Sequence, residues 1–209
     1  MIDVITFWLD WFGVAVFATT GALVASRKQM DIIGFILLGT VTGVGGGTIR
    51  DTLLGNLPVF WIKDPRYLVT CVAAVSSAAF FLAHIPHSRY ALLLRFDAIG
   101  LALFAVTGTE IALDANVEPI IAIAMGVITA TFGGIIRDIL GGESPALLRR
   151  EIYVTAAFLG ATLFVALAQF GLDRSISLVA GFVITLIIRL GALRWNWSLP
   201  RYRPRPGQE

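Results

Sequence analysis

Two stretches of the chain place an arginine–aspartate pair just after a run of glycines. Residues 43–51 read GVGGGTIRD, and residues 130–138 read ATFGGIIRD. Arg50 and Arg137 each follow the last glycine by three residues, so on a helix each guanidinium shares the glycine face. Ionised side chains within apolar helices pair with each other or face water. The pattern predicts a polar pathway lined by these pairs, and snorkelling of both arginines at helix ends is the alternative.

The glycine runs offer a second kind of chemistry, because backbone exposed at membrane depth can bind ions. They comprise Gly45, Gly46 and Gly47 in the first stretch and Gly133 and Gly134 in the second. Three consecutive glycines are expected to loosen or break a helix, and the freed carbonyl oxygens are ready cation ligands. Close packing is the alternative, since small residues four apart let helices touch. A phosphate-binding loop is not indicated, because no strand precedes the glycines and no lysine follows them.

Long apolar segments must position these residues. The chain is 57% hydrophobic and 14% charged, with a mean hydropathy of +0.82, whereas soluble domains carry about 25% charged residues. Apolar runs of about 18 to 23 residues are long enough to cross a bilayer as helices. They predict helices at 5–25, 31–54, 66–84, 92–113, 118–140, 152–170 and 175–193. The sequence therefore predicts an all-α integral membrane protein with seven transmembrane helices.

An internal repeat organises the first six predicted helices. Shifting the sequence by 87 residues aligns residues 10–58 with residues 97–145 without a gap, and about two fifths of the positions are identical. Each copy holds three helices, so the second copy is expected to cross the membrane in the opposite direction, as in the inverted repeats of many transporters. We expect one membrane domain, 1–209, made of repeat one (about 5–84), repeat two (about 92–170), a seventh helix (about 175–193) and a basic tail (194–209).

The connections carry an uneven distribution of basic residues. One set of alternate connections and the tail hold Arg27, Lys28, Arg89, Arg149, Arg150, Arg201, Arg203 and Arg205, and the other connections hold Lys63, Arg66 and Arg174. The positive-inside rule then predicts an N-terminus outside and a C-terminus in the cytoplasm of a cell inner (plasma) membrane. The first helix is expected to stay in the mature protein, because no basic segment precedes it. A net charge of +2 scattered over short loops argues against nucleic-acid binding.

Few other side chains indicate chemistry. Asp10 and Asp97 are interpreted as helix caps at the positive ends of their helices. Glu110 has no acidic counterpart in repeat one and is a pathway candidate. His84 and His87 lie in a short loop without the companions that a metal site needs. We expect no enzyme activity, no cofactor and no stably bound metal.

The glycine–arginine–aspartate pattern at residues 45–51 and 132–138, in two three-helix repeats with a seventh helix, resembles the prokaryotic trimeric intracellular cation (TRIC) channel family. That family is also described as a glycine transporter domain family, and the resemblance covers essentially the whole chain. It implies a homotrimer in which each protomer has its own pore, lined by the kinked second and fifth helices and permeable to potassium and other monovalent cations. Phe132 stands where the first repeat has Gly45, so the two kinks are expected to differ. The Lys-Glu-Val motif of the animal members is Gly-Gly-Ile here, and their phosphoinositide site is not carried over.

A potassium-permeable channel in a lipid bilayer is the first hypothesis. Its candidate pathway residues are Thr42, Gly45, Gly46, Gly47, Arg50, Asp51, Glu110, Thr129, Phe132, Gly133, Gly134, Arg137 and Asp138. Since two arginines would repel a cation, each is expected to be neutralised by a nearby carboxylate. The alternative is a secondary transporter of a small amino acid such as glycine, whose carboxylate and amine would bind the paired Arg and Asp. A membrane scaffold is a third interpretation, although no loop is long enough to dock a partner.

Overall fold

The chain folds into helices joined by short connections. The structure, a computed structural model, describes residues 4–82, 89–148 and 152–200. Its α-helices are α1 (Val4–Arg27), α2 (Ile32–Leu54), α3 (Phe60–Lys63), α4 (Arg66–Leu82), α5 (Arg89–Asp114), α6 (Pro119–Leu140), α7 (Val154–Gln169) and α8 (Arg174–Trp195), with a 3₁₀ turn at Ala146–Leu148. The all-α prediction is therefore confirmed.

Each predicted helical segment coincides with one of the longer helices. Five of them, α1, α2, α5, α6 and α8, are long and apolar enough to cross a bilayer, while α4 and α7 are shorter apolar helices. The four-residue helix α3 was not predicted, because one turn has too few residues to show a hydrophobic period. The histidine loop with His84 and His87, the pair Arg149 and Arg150, and the tail residues 201–209 lie outside the described residues.

The long helices begin and end at recognisable signals. Asp31 caps the start of α2, because its carboxylate accepts a hydrogen bond of 2.7 Å from the backbone N–H of Gly34. Gly55 ends the same helix in the left-handed conformation, at a φ of 72° that favours glycine. Asp173 caps α8 by accepting hydrogen bonds from the N–H groups of Ser175 and Ile176. Capping aspartates and a left-handed glycine therefore mark the ends of these helices.

Phe17 of α1 and Phe104 of α5 meet at the centre of the bundle. Their ring centroids lie 5.1 Å apart in an edge-on arrangement, and both side chains are buried. The Phe104 ring fills the space above Gly13, and the Phe17 ring fills the space above Gly100. Gly100 is the repeat-two counterpart of Gly13, and Phe104 is the counterpart of Phe17. Each contact is therefore the other one with the two copies interchanged, so the copies pack against each other reciprocally.

The glycine runs of α2 and α6 form a second reciprocal contact. A Cβ atom at Gly46 would collide with the carbonyl oxygen of Thr129, and one at Gly133 would collide with the carbonyl oxygen of Thr42. The backbones of α2 and α6 therefore touch at these positions. The α-helical hydrogen bonding of α2 continues from Ile32 to Leu54, so the predicted break at the three glycines is wrong. Packing against α6 holds the glycines helical, because the contact needs a helical surface without side chains.

The last helix, α8, packs against α5 and α7. A Cβ atom at Gly160 would collide with Thr185, and one at Gly181 would lie 2.8 Å from the carbonyl oxygen of Gly160. Leu178 of α8 joins a small apolar cluster with Val106, Phe164 and Val165. This helix therefore closes one outer face of repeat two.

Candidate ion pathway

Arg137 near the end of α6 lies in a network of buried polar groups. Its Nη1 donates to Asp97 Oδ1 at 2.7 Å and to Thr20 Oγ1 at 2.9 Å, and its Nε donates to Asp138 Oδ1 at 2.9 Å. The other oxygen of Asp138 accepts the backbone N–H of Ala146 at 3.2 Å. We call Asp97, Arg137 and Asp138 the second triad. The network ties α1, α5, α6 and the turn after α6 together.

Arg50 holds the equivalent place near the end of α2, with a different set of partners. Its Nε donates to Asp51 Oδ1 at 2.9 Å, and Asp51 Oδ2 accepts the backbone N–H of Phe60 at 2.9 Å. Asp10, the counterpart of Asp97, accepts a 3.0 Å hydrogen bond from the hydroxyl of Tyr67 and lies within electrostatic reach of Arg50. We call Asp10, Arg50 and Asp51 the first triad.

Each triad leaves a buried polar group without a partner among the described residues: the Tyr153 hydroxyl beside the second triad, and a guanidinium nitrogen within the first. Among the described residues, Nη1 of Arg50 has no hydrogen-bond partner, and neither has the hydroxyl of Thr107. In the second triad the equivalent guanidinium nitrogen of Arg137 binds both Asp97 and Thr20. Buried donors without a partner are costly, so the first triad is suited to hold a water molecule or a polar ligand.

The two triads together contain more negative than positive charge. Each holds one arginine and two aspartates, so with all six groups ionised each carries −1 and the pair carries −2. The expectation that a carboxylate neutralises each arginine is confirmed, with Nη2–Oδ1 distances of 2.8 Å from Arg50 to Asp51 and 2.9 Å from Arg137 to Asp138. Snorkelling is wrong, because both arginines are at most 3% exposed. The excess carboxylates favour a cation over an anion.

Asp10 and Asp97 do not cap helices, contrary to the interpretation from the sequence. Asp10 lies in the second turn of α1, and Asp97 lies eight residues after the start of α5 at Arg89. Both carboxylates are buried, with exposed fractions of 6% and 2%. Arg89 was assigned to the connection before α5, and the predicted start of that helix at residue 92 lies three residues too late.

The remaining candidate residues of α2 and α6 have packing contacts. The hydroxyls of Thr42 and Thr129 donate to the carbonyl oxygens of Leu38 and Met125, four residues earlier, at 2.6 Å in both cases. Phe132 is 36% exposed. The remaining glycine candidates face neighbouring side chains: Gly45 lies beside Ile136, Gly47 beside the Phe60 ring, and Gly134 beside Arg137, Asp97 and Tyr153.

Glu110 lies apart from the contacts of both triads. Its carboxylate, 3% exposed, binds Nε of Arg174 at 3.0 Å, and Arg174 also reaches Asp114 at 3.5 Å. Together with Thr6 of α1, these residues line a small pocket at the start of α8. Glu110 is therefore placed to anchor α8 against α5.

Three polar residues of the triad networks were missed from the sequence. Thr20 binds Arg137, Tyr67 binds Asp10, and Tyr153 lies beside Gly134. The sequence contains a signal for the two tyrosines. Tyr67 and Tyr153 are 86 residues apart, one fewer than the repeat distance of 87, so a one-residue gap extends the repeat to them. The ungapped alignment ended before it reached them.

The described members of the two predicted groups of basic residues lie at opposite ends of the bundle. Arg27 stacks on the ring of Tyr90 at 4.9 Å, and Arg89 donates to the carbonyl oxygen of Ser26, so these residues share one end. At the other end Arg66 lies over the ring of Trp11, 5.6 Å from its centroid. Hydrogen bonds from Arg66 lower the pKa of the Asp64 carboxyl in the connection before α4.

Comparison with known proteins places this arrangement in a family. The family model described as glycine transporter matches residues 7–84 and residues 94–169. The UPF0126 membrane protein of Vibrio cholerae is 45% identical over 93% of this chain and 81% of its own length. The UPF0126 inner membrane protein YadS of Escherichia coli K12 is 44% identical over 95% of this chain and 96% of its own.

Solved structures share the fold along almost the whole chain. The TRIC trimeric intracellular cation channel orthologue from Rhodobacter sphaeroides is 60% identical and superposes with a TM-score of 0.90. The match covers 93% of this chain and all of that one. Another structure, described as showing the basis for conductance through TRIC cation channels, is 33% identical with a TM-score of 0.82. It covers 99% of this chain and all of its own. The chain belongs to the TRIC channel family, whose sequence model carries the description glycine transporter.

Proposed function

We propose that this chain is a channel for monovalent cations, potassium among them. The observation that carries the proposal is the acidic excess of the two buried triads, where four aspartates surround two arginines. Buried carboxylates beyond those needed to neutralise the arginines attract cations and repel anions. The relatives with solved structures are described as cation channels, which supports the same conclusion.

The proposed pathway runs within one protomer along the glycine-rich faces of α2 and α6. Both triads are buried, and the two helices touch at Gly46 and Gly133. Ions therefore reach the triads only after α2 and α6 move apart. Glycine runs lower the cost of bending a helix, so residues 45–47 and 133–134 are the proposed kink points for this opening.

The proposed architecture is a pair of inverted three-helix repeats followed by α8. The reciprocal contacts of Phe17 with Gly100 and of Phe104 with Gly13 support it, since a twofold axis exchanges such contacts. Counting α4 and α7 as crossings gives seven transmembrane helices, and an odd number per repeat reverses the second copy. We further propose a homotrimer in the inner membrane, with the Arg27 and Arg89 end in the cytoplasm and the N-terminus outside.

Glycine transport is the second candidate, because one observation favours it. Nη1 of Arg50 is buried without a hydrogen-bond partner among the described residues, and a guanidinium is a good donor to a carboxylate. Asp10, within electrostatic reach of Arg50, would bind the amine of a zwitterion. The description of the family model agrees with this candidate.

One experiment separates the two functions. Purified protein in liposomes is assayed for potassium flux and single-channel currents, and in parallel for glycine counterflow. The channel predicts discrete unitary currents that Asp97→Asn alters and that Glu118→Gln, an exposed acid at the start of α6, leaves unchanged. Silent bilayers with saturable glycine counterflow would overturn the channel and establish the transporter.

A further inference from the structure

An apolar groove with a volume of about 420 Å³ lies between α1, α4 and α5. Its walls include Thr19 and Leu23 of α1, Ala78 and Phe81 of α4, and Leu92 and Phe96 of α5. Phe81 is 60% exposed, so the groove opens on the outer surface of the bundle.

The corresponding place on repeat two is filled. Under the 87-residue shift Thr19 becomes Val106 and Phe96 corresponds to Leu9, and both of these pack in the cluster that Leu178 of α8 completes. In the part of the chain that the structure describes, no helix covers the α1–α4–α5 groove in this way. Repeat one therefore carries the site that α8 occupies on repeat two, but leaves it open.

Two arginines lie at one end of this groove. Thr19, Leu23 and Arg27 follow each other at intervals of four residues, so they form one stripe along α1. Arg89, Leu92 and Phe96 form a matching stripe along α5. The ends of the stripes meet, because Nη1 of Arg89 donates to the carbonyl oxygen of Ser26 at 3.2 Å. The apolar groove therefore ends beside two basic side chains.

We propose that the α1–α4–α5 groove binds an anionic phospholipid, with an acyl chain in the groove and the phosphate on Arg89. The apolar walls suit a hydrocarbon chain, and a guanidinium binds phosphate oxygens through two parallel hydrogen bonds. Arg27 already pairs with Glu143 at 3.1 Å, so Arg89 is the principal phosphate ligand. The described residues give Arg89 one acceptor, the Ser26 carbonyl, which leaves donors for a phosphate.

Native mass spectrometry on the purified full chain tests this site with phosphatidylglycerol and phosphatidylcholine of equal chain length. We expect phosphatidylglycerol to bind about fivefold more tightly for each arginine that engages it, the effect of one basic residue near an anionic headgroup. Arg89→Gln should remove most of this preference. Arg66→Gln, an arginine paired with Asp64 at the opposite end, should keep it. Equal binding of both lipids to the native chain would overturn the proposal.

A second variant tests the groove itself. Ser77 is an exposed groove residue, so Ser77→Phe fills the groove without changing the core. It should weaken binding of both lipids while the melting temperature stays unchanged. A helix from another copy of the chain is the competing occupant, and Ser77→Cys in a Cys71→Ala background distinguishes it. Disulfide-linked protomers combined with no preference for phosphatidylglycerol would assign the groove to a protein interface and overturn the lipid site.

Discussion

The carbonyl oxygen of Thr129 lies against the backbone of Gly46, at a place where any side chain would displace it. The same contact recurs between Thr42 and Gly133, which are the equivalent residues of the other copy of the repeat. Membrane helices gain stability from such close approaches, because they increase dispersion contacts between backbones. Gly46 and Gly133 therefore set the distance between α2 and α6.

Gly46→Ala should destabilise the fold, since the added methyl group has no room beside the Thr129 carbonyl. Overpacking of this kind costs about 1–3 kcal/mol, and Gly133→Ala should cost a similar amount. Gly45→Ala is the matched control, because its Cβ would meet the flexible end of Ile136 at 3.1 Å. Unfolding in detergent measures the three variants. Equal losses for Gly45 and Gly46 would contradict the close contact.

The two triads predict unequal costs for equivalent substitutions. Asp97→Asn removes one of the two carboxylates that pair with buried Arg137 and should cost about 1.5–3 kcal/mol. Asp10→Asn should cost about 1 kcal/mol, because the amide oxygen still accepts the hydroxyl of Tyr67. Thermal unfolding of both variants in the same detergent checks the difference. Equal costs would show that the triads have the same partners in solution.

A double-mutant cycle checks the hydrogen bond between Tyr67 and Asp10. Tyr67→Phe alone and Asp10→Ala alone each remove it, so the double variant should lose less than the sum of the two. A hydrogen bond to a charged group contributes about 1.5–3 kcal/mol, which sets the expected coupling energy. Phe60 also packs on the Tyr67 ring, and Tyr67→Phe preserves that contact. A coupling near zero would place the hydroxyl elsewhere.

Segment length and charge made the helices and the pairing within the glycine motifs predictable. Apolar runs long enough for a bilayer have one stable backbone solution, so α2 and α6 follow from composition. Neighbouring Arg50 and Asp51 had to be satisfied together once buried. Both conclusions depend on residues close together in sequence.

Contacts between distant parts of the chain could not be predicted in the same way. Arg137 meets Asp97 across 40 residues and Thr20 across 117, and no spacing rule connects them. The repeat alone would have given Arg50 equivalent partners, namely Asp10 and Thr107. Tyr67 instead binds Asp10, and this local competition is visible only in three dimensions.

Changing the charge of the triads should change ion selectivity in opposite directions. Asp97→Asn takes their summed charge from −2 to −1 and should lower the permeability ratio of potassium to chloride. Arg50→Gln takes it from −2 to −3 and should raise that ratio. One unit charge at about 4 Å contributes about 1 kcal/mol even in water, so each change should be about fivefold.

Reversal potentials in a potassium chloride gradient across a planar bilayer measure this ratio for each variant. Glu118→Gln removes one negative charge at an exposed position outside the triads and should leave the reversal potential unchanged. If Asp97→Asn and Arg50→Gln shift the ratio in the same direction, the effect comes from altered folding and not from charge. Opposite shifts of the permeability ratio, similar in size, would place permeating ions beside both triads. Removing a negative charge and removing a positive charge have opposite effects on an ion only when both charges lie close to its path.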